Sequence, residues 1–170
     1  MSETPQFSGD QQLSTAWISL GDRCEQWACL AREAHTTGLL NAVGLAFQAL
    51  YYESRAQTFY RQTSLHTPPA TVLIALDRTA EALCHARRFW CDVISMLDCQ
   101  VNNVLTSSSN RTLAATLLPQ VWEERTRITA LLLEVDRVQA QRQRDEQQRG
   151  APSDGAAANA TSTSERTENP

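Results

Sequence analysis

The sequence predicts an all-α fold, a bundle of four main helices with the last one kinked at Pro119, and three observations carry that prediction. Between residue 11 and about residue 145, apolar side chains recur every three or four positions, the period of a helix that buries one face. No run alternates apolar and polar residues as a half-buried strand would. Only 6 Gly and 6 Pro occur in 170 residues, and most fall where one apolar stripe stops and the next begins. The predicted organisation is a flexible N-terminus over 1–10, a helical domain over 11–148 and a disordered tail over 149–170.

In the first helix Leu13, Trp17, Leu20, Cys24, Trp27, Ala31 and Ala34 are spaced 4, 3, 4, 3, 4 and 3, a sustained seam. Gly38 is expected to end that helix in the left-handed conformation that glycine adopts cheaply. The second helix should run from about Leu39 to Ser64, with Leu40, Val43, Phe47, Leu50 and Ser54 on one stripe. The small Ala42, Ala46 and Ala49 beside it would allow close helix approach. Thr67 precedes Pro68 and is placed to cap the third helix, with the proline at its first position. That helix is the longest, because Leu76, Ala80, Leu83, Arg87, Trp90, Ile94, Leu97, Val101 and Val104 keep the heptad spacing. The hydroxyl and amide side chains of residues 106–110 then end it and cap the fourth. Along the fourth, Leu113, Leu117, Val121, Arg125, Ile128, Leu132 and Val135 form a stripe. Pro119 lacks an N–H and clashes with the preceding turn, so it should kink this helix or split off a short first piece. Beyond Val138 only a solvated helix end is expected. From Gly150 the tail has no large apolar residue to offset its ordering entropy. A partial tetratricopeptide pattern at Ala56, Tyr60 and Pro68 fails in its next copy, where Trp90 stands 34 residues after Ala56.

Composition excludes several classes of function. The net charge of −4 lacks the basic footprint of a nucleic-acid binder, so no nucleic-acid partner is expected. No stretch reaches the length of about 20 apolar residues needed to cross a bilayer, so no membrane insertion is expected. The polar, acidic opening is not that of a secretory signal, which points to a cytoplasmic or nuclear chain with unmodified sequons at Asn110 and Asn159. Five cysteines, an odd number, argue for reduced thiols serving as small buried hydrophobes. All 15 basic residues are arginine. The plainest cause is a GC-rich genome, viral or bacterial; the sharper one is avoidance of ubiquitin attachment at lysine.

Chemistry finds little footing. Cys84, Cys91 and Cys99 lie seven and eight residues apart, about 10 Å or more along a helix, too far to share one zinc ion. His35, His66 and His85 have no neighbour that would complete a nucleophile–base pair, since Cys84 and His85 point about 100° apart on a helix. No phosphate-cradling loop or paired-carboxylate motif occurs. Neither a cofactor, a metal nor a catalytic residue is therefore assigned, and an enzyme with a site assembled from distant residues is the third-ranked reading.

Arg87 and Arg125 sit on otherwise apolar stripes. A core position would require them to pair, with Glu53, Glu81, Asp92 and Glu124 as available counter-ions. A rim position would make them interface residues. Trp90 and Trp122 stand near these arginines, and large amphipathic side chains of this kind are enriched at interfaces. Trp17, Asp22, Arg87, Trp90, Trp122 and Arg125 are thus the candidate partner-binding residues.

The opening stretch also resembles the BH3 segment of the Bcl-2 apoptosis regulators, with Leu13, Trp17, Leu20 and Cys24 at the four apolar positions and Gly21-Asp22 as the following pair. The resemblance implies a helix that lays its stripe in a groove while Asp22 meets an arginine on the rim. The chain has Trp17 where that family has leucine, and it lacks the family's Asn-Trp-Gly-Arg groove signature. The leading expectation is a non-enzymatic protein–protein interaction module, an adaptor or regulatory factor. An anchorless Bcl-2-like regulator is the alternative. The strict heptads also favour a homodimer.

Overall fold

The computed structural model describes residues 19–34, 36–63 and 68–150. Four helices follow one another: α1 (Leu20–Glu33), α2 (Thr37–Arg61), α3 (Pro69–Asn102) and α4 (Ser108–Gly150), with no strand among the described residues. The chain is all-α, as its periodicity predicts. No described helix is long and apolar enough to cross a membrane. Leu13, Trp17, the Thr67 cap, the N-terminal residues 1–10 and the tail from 151 onward lie outside the described residues.

Polar side chains at the joints set where α2 and α4 start, and a proline sets the start of α3. Thr36, in extended conformation, accepts a hydrogen bond at Oγ1 from the Leu39 N–H (3.4 Å) and so caps α2. Gly38 therefore lies inside α2 and does not end α1; no described glycine has positive φ. The Gln100 side-chain amide fills the space that a Cβ at Gly38 would occupy. Pro69 is the first residue of α3 and Pro68 its cap, one residue later than the sequence suggests, with Pro68 C=O accepting from the Thr71 N–H (2.9 Å). After α3, Asn103 Oδ1 accepts from the Leu105 N–H (2.9 Å), an Asx turn, and Ser107 Oγ accepts from the Asn110 N–H (3.3 Å) at the start of α4. α3 thus ends at Asn102, ahead of the polar run 106–110, and the run begins the next helix. Pro119 lies within α4, which continues through it as one element. No first short helix splits off.

α3 packs along both α2 and α4, and α1 packs on α2. Trp90 and the leucines seven residues apart on α3, Leu76, Leu83 and Leu97, are all fully buried, so a strict heptad marks the centre of the core. On α2 the buried face is Leu39, Ala42, Val43, Ala46, Ala49, Leu50, Glu53 and Ala56. The expected stripe is thus rotated: Leu40, Phe47 and Ser54 face outward. The physical reason is the one that gives the alanines their value: α2 has a helix on each side, and only small side chains let both approach. Arg87 and Val104, placed on the α3 stripe by spacing, are exposed, and Leu113 on α4 is half-buried beside the buried Ala114. The last turns of α4, residues 139–150, are almost wholly solvated, as the end of the apolar stripe requires.

The cysteines differ from expectation. Cys29, Cys84 and Cys99 are exposed and Cys24 and Cys91 half-buried; Cys24 alone of the five packs at the edge of the core cluster, on the stripe of α1. Burial pushes the Cys24 thiol up; Arg23 opposes this and Glu53 reinforces it. Since the thiolate is the nucleophile, we expect three thiols to react quickly with Ellman's reagent in the folded chain, with Cys24 among the slow ones, and all five to react in denaturant. Five equally fast thiols under native conditions would contradict this packing.

Candidate interaction surface

The side chains expected to need partners in the core are not those that have them. Arg87 is exposed. The buried arginine is Arg23 of α1, and the acid it meets is Glu53 of α2, which is fully buried. Arg23 donates from Nη2 to Glu53 Oε2 (2.9 Å) and from Nη1 to Glu124 Oε2 of α4 (2.7 Å). Arg127 of α4 donates from Nη2 to both Glu53 Oε2 (2.6 Å) and Glu124 Oε2 (2.7 Å). Trp90 Nε1 of α3 donates to Glu53 Oε1 (3.1 Å). One carboxylate therefore ties all four helices together, and two arginines balance two glutamates, so no net charge is buried. Desolvation works against the charge on Arg127, yet Glu53 and Glu124 outweigh it and hold its guanidinium above the ordinary arginine range. Two donors in the group, Arg23 Nε and Arg127 Nη1, are buried without a partner.

α1 and α4 meet through these long side chains and through Gln26 Nε2, which donates to Gln120 Oε1 (3.0 Å). Beside them opens a cleft of about 390 Å³ lined by Arg23, Gln26, Trp27, Gln120, Glu124 and Arg127. Its arginines are already engaged by carboxylates, and the two unpartnered N–H groups are shielded from solvent, so a molecule in the cleft cannot reach them. An apolar cavity between Trp27, Leu39, Leu97 and Leu117 has a volume of about 10 Å³, room for one water at most. Among the described residues, no group of three or more His, Cys, Asp or Glu side chains is disposed to hold a metal ion.

The six candidate residues therefore separate. Trp17 lies outside the described residues. Trp90 is fully buried, its ring 5.8 Å from that of Trp27, and belongs to the core; its heptad position, shared with Leu83 and Leu97, is the reason. It is not available to a partner in this fold. Asp22 is exposed in the first turn of α1, where its charge suits the helix dipole, while Leu20 and Cys24 of the same stripe pack against the bundle's own core. Arg125 and Trp122 come together: the guanidinium stands 5.2 Å over the indole, and Arg125 Nε approaches Cys91 Sγ of α3 (3.2 Å). Trp122 remains 46% exposed. Arg87 is exposed one turn before Cys91, on the same side of α3. Leu133, three turns after Trp122 and also exposed, extends the surface along α4.

Sequence reasoning missed Arg23, Arg127 and the outward stripe of α2. A signal for the first existed, since position 23 is three residues after Leu20 and four before Trp27, on the face they share. Compared with protein-family models, with curated proteins and with solved structures, the chain matches none.

Proposed function

We propose that the chain acts without chemistry of its own, as a helical protein–protein interaction module of the adaptor or regulatory kind, whose partner-binding face centres on Trp122 and Arg125. The observation that carries this reading is the preset geometry of that pair. A large ring left half in solvent is stacked by a guanidinium, which is itself tethered to the neighbouring helix through Cys91. Tryptophan and arginine are the residue types that dominate binding energy at interfaces, and a side chain already held in place loses little entropy on binding. Arg87 and Leu133 supply the flanks of the surface, one charged and one apolar.

The test is a quantitative affinity capture with the full chain, comparing wild type, Trp122→Ala, Arg125→Ala and the control Glu25→Ala on the exposed face of α1. A purified partner should bind Trp122→Ala at least about thirtyfold more weakly, the loss typical of a hot spot at 2 kcal/mol or more. The control should bind as wild type does, and thermal unfolding of Trp122→Ala should stay near that of wild type because its ring is half in solvent. Arg125→Ala also loses the contact of that half-buried side chain with Cys91 on α3, so it is compared at a temperature where dichroism shows it folded. If every captured protein binds Trp122→Ala and wild type equally, the proposal fails.

A further inference from the structure

A guanidinium presents a flat fork of N–H groups that matches a carboxylate, and three arginines of this chain use it so: Arg23 and Arg127 with Glu53 and Glu124, Arg137 with Glu134. Arg125 does not. Its Nε is fixed on Cys91 Sγ (3.2 Å) and its Cζ stands over the Trp122 ring, while Nη1 and Nη2 donate to no described residue and are not shielded from water. Arg87 is exposed one turn before Cys91, and among the described residues neither arginine has a carboxylate within 4.0 Å. The contacts of Arg125 with Cys91 and of Gln139 with Asp77 are equally spaced along the two helices, so α3 and α4 run antiparallel in a register that sets Arg87 opposite Thr129, one turn beyond Arg125. Two uncompensated positive charges therefore occupy neighbouring turns of one seam, between Trp122 at one end and Leu133 at the other. The nearby acids look elsewhere. Glu123 and Glu124 face the cleft beside α1, and Asp92 stands about 100° round the helix from Cys91, on the side away from α4. Along the seam itself the next acids are the exposed Asp98, two turns past Cys91, and Asp136, two turns past Thr129, each about 10 Å off.

We infer that this seam receives a short acidic segment of a partner protein, one or two Asp or Glu carboxylates seated between Arg87 and Arg125 with apolar side chains resting on Trp122 and Leu133. The inference rests on the reading of Trp122 and Arg125 as the binding face and adds the chemistry of what binds there. Like charges in neighbouring turns repel, and a carboxylate placed between them relieves that repulsion while it fills the open fork of Arg125. The fork is already held by Cys91 and Trp122, so little side-chain entropy is lost when the anion arrives. A basic partner would meet the arginines head on. The extent of the positive patch selects the kind of anion. With Asp98 and Asp136 closing it at both ends, it is only one or two residues long. A nucleic acid or an anionic membrane surface continues its negative charge past those aspartates and is repelled by them, whereas a compact pair of carboxylates is not. The apolar residues at the two ends then fix the order of the segment as apolar, acidic, apolar.

Selection of displayed random peptides on the full chain, repeated on Trp122→Ala, tests the inference. The peptides should be about twelve residues long, enough to span from Trp122 to Leu133 as a helix. Those that need Trp122 are expected to carry Asp or Glu between apolar residues. In titration calorimetry of the strongest one, exchanging its acids for Asn or Gln should weaken binding about tenfold or more, and so should Arg87→Glu in the chain. Arg87 is exposed, so this variant keeps the wild-type helical dichroism. A peptide with Lys in place of its acid should bind Arg87→Glu better than it binds wild type. Affinity should also fall as sodium chloride rises from about 50 to about 500 mM. Trp122-dependent peptides without acidic residues, or indifferent to Arg87→Glu, would overturn the inference and leave the Trp122 face standing. Displacement of the peptide by an oligothymidine would overturn it in favour of a nucleic acid. Peptides that bind Trp122→Ala as well as wild type, or no binding peptide at all, would remove the face itself.

Discussion

Replacing Glu53 with alanine is expected to destabilise the fold by about 3–5 kcal/mol, the cost of removing one partner from a buried charge group. The magnitude follows from what is left behind. Arg23 Nη2, Arg127 Nη2 and Trp90 Nε1 all donate to this one carboxylate, which has no exposure to water. Glu124 can still hold both arginines, because it accepts from each and is partly accessible. The loss therefore falls on the interior end of the network, where water cannot substitute. Chemical denaturation followed by tryptophan fluorescence reads this directly, since Trp90 reports on the site. Glu53→Gln keeps the shape and an acceptor but not the charge, and should lose a substantial part of the same stability. Replacing Arg23, Glu53, Glu124 and Arg127 together with apolar residues of similar volume, in a Trp90→Phe background that removes the remaining donor, should cost that background less than Glu53→Ala costs the wild type, because no charge or N–H of the network is then left unpaired. If Glu53→Ala costs under 1 kcal/mol, the network does not hold the four helices together.

How far the sequence reveals these features depends on the range of the interaction. The α3 core positions are legible because they repeat every seven residues along one helix, from Leu76 through Trp90 to Leu97. The start of α4 is legible because Ser107 acts on a backbone group only three residues away, whereas at the start of α2 the glycine at 38 draws attention from the Thr36 cap two residues before it. The face of α2 is misread, since large side chains dominate a periodicity count while the alanines are what close packing selects. Had the line Ala46, Ala49, Ala56 been followed, Glu53 would have stood out as the one charge upon it. Its partners would still have been hidden. Arg23 is 30 residues from Glu53 and Arg127 is 74, and no local pattern links them. The interaction surface is legible only in part for a related reason: Trp122 and Arg125 are neighbours on one helix, but the tether to Cys91 crosses between helices.

The second large effect is expected at Trp90, and it separates a core residue from a surface one. Trp90→Ala should cost about 3–5 kcal/mol, as for other large-to-small changes in a packed interior, because the ring is fully buried and packs beside Trp27. For a chain of this size that corresponds to a fall of roughly 10 °C in the unfolding temperature. Trp90→Phe keeps most of the packed volume and removes the N–H that reaches Glu53 Oε1. A hydrogen bond to a charged group is worth about 1.5–3 kcal/mol. The lower end applies here, because Glu53 keeps two guanidinium donors. The double change of Trp90→Phe with Glu53→Gln should then cost less than the sum of the two alone, as expected of groups that share one bond. Partner capture by the folded Trp90→Phe variant should match wild type, in contrast to Trp122→Ala, since no part of Trp90 reaches the surface. Unchanged stability in Trp90→Ala together with lost capture would return Trp90 to the interface and undo the assignment of the α3 heptad to the core.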